Sequence, residues 1–216
     1  MIRLQKGPLP EVLQSKGAEW TQEYLEAKGD PVKMTDTVKF RYRHPDVKAA
    51  LRQESFNKCI YCESSVAFGE TDHINPVSCC PEQIVEWANL GLVCKECNTH
   101  KSDYYAPAEP LVNPFKEEPS DHLILLGDIA IRVPGSTKGL RTISQLNLNR
   151  TDLLQWRFLR IKRLEPLMDQ WSAHAEGETK KILRQAIEDE AADNAEYAAT
   201  VRGYLSQVPG WNQSRR

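Results

Sequence analysis

The chain has no apolar stretch long enough for a helix to cross a bilayer, which takes about 20 consecutive apolar residues. Its first residues, MIRLQK, lack the apolar core of a secretory signal. A cytoplasmic protein with no membrane partner is the expectation. Charge of neither sign dominates: 28 Lys and Arg face 30 Asp and Glu, a net charge of -2. No global field therefore pulls nucleic acid toward the chain, and any such binding must rest on local patches. A GxxxxGK[ST] loop is missing, so the chain shows no phosphate-binding loop of that type. Internal repeats, heptad arrays and low-complexity tracts are also missing. What remains is 216 residues of ordinary composition, enough for one substantial domain or a small domain with extensions.

Cysteine is present, and it is patterned. Cys59 and Cys62 form one CxxC pair and Cys94 and Cys97 a second. Reducing compartments keep thiols free, so paired knuckles of this kind bind metal more often than they form disulfides. Four thiolates can close a tetrahedral zinc site, and a closed site is structural. A simple zinc ribbon that staples a small core is the bland alternative. Cys79 and Cys80 are adjacent and left over; neighbouring cysteines pair poorly, and these two read as structural or incidental. The gap between the knuckles is wider than a ribbon needs. Its insert carries Asp72-His73.

The rest of the chain predicts an α+β protein. Helical patterns cover residues 9–29, with Leu13, Trp20 and Leu25 on one face, and 46–54, with Val47, Ala50 and Leu51 inward. Short extended segments flank Gly69, a brief helix follows Pro81 from Glu82 to Trp87, and Gly91-Leu92-Val93 reads as a strand. The polar run from Cys97 to Tyr105 suits a helix starting at the knuckle. A proline-rich link follows, with Pro107, Pro110, Pro114 and Pro119. HLILLGDIAIRV (122–133) predicts a hairpin turning at Gly127-Asp128. Helices are expected over 140–148, 151–175 and 178–205. The expected divisions are a helical, partner-binding extension (1–56), a knuckle-bearing core (57–106), and a hairpin with a helical tail (107–216).

The motifs DHINP, WANL and CKECNTHK, in that order, resemble the HNH endonuclease motif, or ββα-metal fold. The resemblance covers about residues 57–105 and implies a zinc-stapled hairpin and helix with a separate catalytic cation. Phosphodiester cleavage needs an activated water, a neutralised phosphate and a stabilised leaving oxygen. A neutral imidazole can take the proton near pH 7, and His73 is assigned as that base, although a lone histidine is more often a core or surface residue. The resemblance implies Asp72 and Asn98 as ligands of a hard cation such as Mg²⁺. Asn89 is expected to fix the loop that orients His73, or else to be an ordinary turn residue. Tyr61 and Glu63, beside the first knuckle, read as packing and surface residues. Lys101 could meet a phosphate or be a solvated lysine. His100 could be a metal ligand, a phosphate contact or a solvated helix residue.

Two basic stretches are candidates for nucleic acid. Arg157, Arg160 and Arg163 recur every three residues and could form a phosphate-tracking ridge, opposite an apolar stripe of Leu154, Phe158 and Ile161. The alternative is a solvated face, or one docked on the acidic Glu188-Asp189-Glu190. KFRYRH (39–44) alternates basic and aromatic residues, which could stack on bases or pack inward.

Beyond the core, MIRLQKGPLPEVL, HPDVKAALRQESFNKCIYCES, LVNPF and TISQLNLNR resemble the HNH subunit of Septu-type antiphage systems. Similar proteins accompany some retrons. This resemblance implies an ABC/SMC-like ATPase partner (PtuA-like) and, in the retron setting, a reverse transcriptase with its RNA–DNA. Ile74-Asn75-Pro76 departs from the commoner family pattern after the histidine, where an aromatic and basic residues are frequent. Three functions follow: a nuclease on DNA, the same mechanism on RNA such as tRNA, or a zinc-stabilised binding module whose Asp-His is incidental.

Overall fold

The computed structural model describes residues 1–211. Helix α1 (Glu11–Ala27) starts after Pro10, with Glu11 in its first turn, where an acid complements the exposed N–H groups. It buries Leu13 and Ala27, whereas Leu25, expected on the inner face, is 37% exposed. A short α2 (Asp36–Lys39) is capped by Thr35, and a 3₁₀ turn (Arg41–Arg43) follows. Helix α3 (Pro45–Glu54) has Pro45 in its first turn, where the missing N–H costs nothing. Val47 and Leu51, four residues apart, are fully buried on one face of α3.

Strands β1 (Glu70–His73) and β2 (Leu90–Val93) pair antiparallel, with His73 opposite Leu90 and Glu70 opposite Val93. All four residues of β2 are buried. At Gly91 an added Cβ would lie 2.4 Å from the Ile60 side chain, which would have to shift. Cys94 ends β2 and caps helix α4 (Lys95–Lys101), so the helix begins before Cys97, where the sequence suggested. The expected helix over 82–87 is replaced by two 3₁₀ turns, Pro81–Gln83 and Trp87–Asn89. β1, β2 and α4 form the ββα unit.

Strands β3 (Leu123–Leu126) and β4 (Ile129–Arg132) form the expected hairpin, with Gly127 at positive φ in the turn. Helix α5 (Thr137–Gln145) starts earlier than predicted because Ser136 caps it. Helix α6 (Thr151–Ala173) matches expectation in length but not in phase. Its buried residues are Leu153, Arg157, Leu164, Met168 and Trp171, and Phe158 is 48% exposed. The single helix expected over 178–205 is two, α7 (Glu178–Glu190) and α8 (Ala198–Ser206). The break has a tertiary cause. Lys58 Nζ takes the carbonyls of Asp193 and Ala195 at 2.5 and 2.7 Å, and Tyr197 adopts a left-handed φ of 52°.

One apolar core joins the N-terminal segment (Met1, Ile2, Leu4, Leu13), α3, the ββα unit, the β3–β4 hairpin and the start of α8. The three sequence divisions therefore share a core. A second cluster packs the end of α6 against α7, α8 and Trp211, with Trp171 and Trp211 edge to face at 5.2 Å. No helix among the described residues is long and apolar enough to cross a membrane.

Candidate active site

The first knuckle is a tight loop. Cys59 N–H donates to Ser64 O, Glu63 N–H donates to Cys59 O, and Glu63 takes a positive φ of 66° to close the turn. The second is the β2–α4 junction, where the Cys94 sulfur accepts from Cys97 N–H at 3.4 Å. The four sulfurs lie within 4.8 Å of one another, and none is in a disulfide. A tetrahedral zinc with bonds of about 2.3 Å sets its sulfurs about 3.8 Å apart, and Cys62 and Cys94 are 3.7 Å apart. Hydrogen bonds from its neighbours hold the Cys62 thiol well below its ordinary pKa, while burial pushes Cys59 well above. A cation bound among the four sulfurs would stabilise all of them as thiolates. Around the cluster, the Ser64 hydroxyl lies 3.0 Å from Cys62 Sγ and Arg150 Nη1 lies 3.8 Å from Cys97 Sγ. Hydrogen-bonding groups of this kind orient and tune thiolate ligands. Cys79 and Cys80 stand outside the cluster.

The second knuckle follows β2, β2 pairs with β1, and β1 carries the acid and the histidine. His73 is buried, with Nε2 2.7 Å from Ile84 O. A carbonyl only accepts, so Nε2 bears the proton and Nδ1 is left with the lone pair. The Tyr42 ring packs edge-on against the imidazole, centroids 4.6 Å apart. Burial, helped by the nearby Lys101 ammonium, pushes the His73 pKa down to about 4.

Asp72 is buried beside it. Its Oδ1 accepts from Lys101 Nζ at 2.9 Å and its Oδ2 from Tyr61 O–H at 3.0 Å. Burial raises the carboxyl above its usual range against the pull of Lys101. Lys101 is 1% exposed, and it also donates to His73 O at 2.6 Å. It is an internal cation, and its ammonium is spent on β1 rather than offered to a phosphate at the surface. Tyr61 is fully buried and does more than pack. Glu63, expected at the surface, is buried, and it accepts from Ala199 N–H.

Asn89 lies in the loop before β2. Its Oδ1 accepts from Asn75 N–H at 2.8 Å and its Nδ2 donates to Asn75 O at 3.0 Å. Its own carbonyl accepts from Ile74 N–H. It thereby clamps the two residues that follow His73. Asn98, on the first turn of α4, donates from Nδ2 to Glu70 Oε2 at 2.5 Å. Glu70 escaped the sequence reading. Strand alternation could have found it, since it sits two residues before Asp72 on the same face of β1. Glu70, Asp72, His73 and Asn98 line one cleft of about 480 Å³.

His100 is half-buried and absent from that lining; its carbonyl accepts from Gln145 Nε2. The α6 arginines do not form the expected ridge. Arg157 is 2% exposed and donates to Asp128 O and Leu148 O at 3.1 and 2.8 Å. Arg160 bonds the Glu190 carbonyl and pairs with its carboxylate, which follows the docked alternative. Only Arg163 is exposed. Arginines three apart drift around a helix of 3.6 residues per turn, and here the packed face falls on Arg157.

A ββα unit, thiolate knuckles at its base and a histidine held as one tautomer beside oxygen donors define an HNH endonuclease. The family model for the HNH endonuclease matches residues 59–104. Over 223 residues the chain is 30% identical to the Septu protein PtuB of Bacillus thuringiensis, covering 95% of this chain and 82% of that protein. The chain belongs to this Septu PtuB family of HNH endonucleases, and it is an enzyme of the phosphodiester-hydrolysing class.

Proposed function

We propose that the chain is the DNA-cleaving effector of an antiphage defence complex in which an ATPase subunit supplies the nucleotide control that this sequence lacks. The observation that carries the chemistry is the His73 tautomer: Ile84 O holds Nε2–H and leaves Nδ1 as the acceptor. His73 takes the proton from water as its oxygen attacks phosphorus and the ester bond breaks. A pKa of about 4 keeps the ring neutral, with its Nδ1 lone pair unprotonated, at neutral pH.

The carboxylates of Glu70 and Asp72 and the carboxamide of Asn98 are oxygen donors on one cleft, and they fit a hard divalent cation such as Mg²⁺. Each Asp72 oxygen that accepts a hydrogen bond keeps a further lone pair. Such a cation, when bound, neutralises the phosphate and the leaving oxygen. Lys101 holds Asp72 and the His73 carbonyl in register, and Asn89 holds the loop behind them. Cys59, Cys62, Cys94 and Cys97 fit a structural zinc that ties the 59–62 loop to the start of α4.

The test is incubation of the purified chain, with and without a Septu ATPase subunit, with supercoiled plasmid and total RNA plus Mg²⁺. Nicked or linear plasmid with intact RNA is the expected result. Degraded RNA beside intact plasmid would move the substrate to RNA. No cleavage in any arm would overturn the nuclease reading.

A further inference from the structure

Two segments line the cleft, and one lies outside the family-matched residues 59–104. The matched segment brings Glu70, Asp72 and Asn98, beside the engaged Lys101. The other brings Lys39, Arg43 and Lys48, from α2, the turn after it and α3, and forms the basic wall. The N-terminal segment is tied to the reacting centre through Tyr42, whose ring rests on His73 at 4.6 Å. The basic run thus divides into parts with different work. Arg41 is spent on Glu23, and Tyr42 packs inward. Lys39 and Arg43 are exposed and Lys48 half-buried, and none of the three forms an ion pair with an acid among the described residues. The Arg43 guanidinium lies over the Phe40 and Tyr42 rings at 4.2 and 5.4 Å. Stacking of this kind holds the planar group while leaving its N–H edges free for a phosphate.

We propose that Lys39, Arg43 and Lys48 form the phosphate-binding wall of the cleft and hold the backbone of the cut strand against His73. This rests on the nuclease reading above and adds where the substrate lies. It assigns the electrostatic contact to the N-terminal segment, in place of the α6 arginines, of which Arg157 and Arg160 are already engaged. Because the ligand chemistry is the phosphodiester backbone, both DNA and RNA fit the wall.

The test measures binding of fluorescein-labelled duplex DNA, and of RNA of the same sequence, by anisotropy across a salt series without added Mg²⁺. The variants are Lys39→Ala/Arg43→Ala/Lys48→Ala and, as a control, Arg163→Ala. Losing three phosphate contacts should lower the log–log salt slope by about 2–3, with weaker binding at every salt concentration, while Arg163→Ala binds like wild type. In cleavage assays the triple variant should raise KM more than it lowers kcat. Equal loss on DNA and RNA supports backbone recognition, and loss on one polymer alone supports the wall while naming that polymer as its ligand. Arg43→Ala, with Arg43→Lys as charge rescue, supplies the same comparison if the triple variant fails to fold. A folded variant with wild-type affinity and slope overturns the proposal while leaving the nuclease reading in place. Wild type that binds both polymers and cuts neither removes the nuclease reading on which the proposal rests, and so overturns both.

Discussion

Lys101→Met removes the ammonium that balances a buried carboxylate while keeping an apolar stem of similar length. In the native site, Lys101 Nζ serves Asp72 Oδ1 at 2.9 Å and His73 O at 2.6 Å, and both side chains are almost fully enclosed. Breaking a buried pair by removing one partner costs about 3–5 kcal/mol, because the remaining charge is uncompensated. Two features hold the value near the lower end. Tyr61 O–H still donates to Asp72, and the carboxyl, already pushed up by burial, can protonate. The expected loss is therefore about 3 kcal/mol at pH 7, read by urea unfolding through tryptophan fluorescence. The sign of the pH response follows. In the variant an ionised Asp72 destabilises the fold, so the gap from wild type should narrow as pH falls and the carboxyl takes a proton. Adding Asp72→Asn should recover part of the loss, a coupling that unrelated sites would not show. A variant within about 0.5 kcal/mol of wild type, the usual range for a surface residue, would refute the buried-pair reasoning.

Cleavage should stay level from pH 8 to pH 6 and fall only as the His73 pKa of about 4 is approached; a limb centred near pH 6.5 would contradict a buried, neutral ring. The depressed pKa also bears on stability. Between an unfolded value of about 6.5 and a folded value of about 4 the unfolded chain binds the extra proton, so His73 should cost up to ~3 kcal/mol as pH falls through that window, a loss that His73→Gln should remove. Cys94→Ser should lower both zinc content, by metal analysis, and melting temperature, and zinc-free wild type would contradict the knuckle assignment. Arg157→Ala should cost about 2–3 kcal/mol by leaving one buried and one partly buried carbonyl short of a donor, whereas Arg163→Ala should stay within about 0.5 kcal/mol in the same unfolding assay.

Much of the centre was legible because its determinants are local. CxxC spacing sets the knuckles, the turn at Gly127-Asp128 sets the hairpin, and Pro45 sets the start of α3. What escaped was set by distant partners. Lys101 sits in a polar helical run that looks solvated, and only the fold brings Asp72 against it from 29 residues away. Tyr42 meets His73 in the same way. The helix expected over 178–205 is broken by Lys58, more than 130 residues upstream, which no helical pattern could register. Arg157 was misplaced by phase, since a three-residue recurrence leaves open which side of α6 turns inward. Glu70 was within reach: it is two residues from Asp72 on a strand, and alternation alone puts both on one face.

The central claim is that His73 cuts phosphodiester bonds within a frame set by the four cysteines. Its most direct test is cleavage of supercoiled plasmid with Mg²⁺ by wild type and His73→Ala, compared at matched zinc content and melting temperature. The account predicts wild-type cleavage and a loss of about 100-fold or more in the variant, the scale of a missing general base. Cleavage by folded, zinc-loaded His73→Ala at the wild-type rate would contradict it.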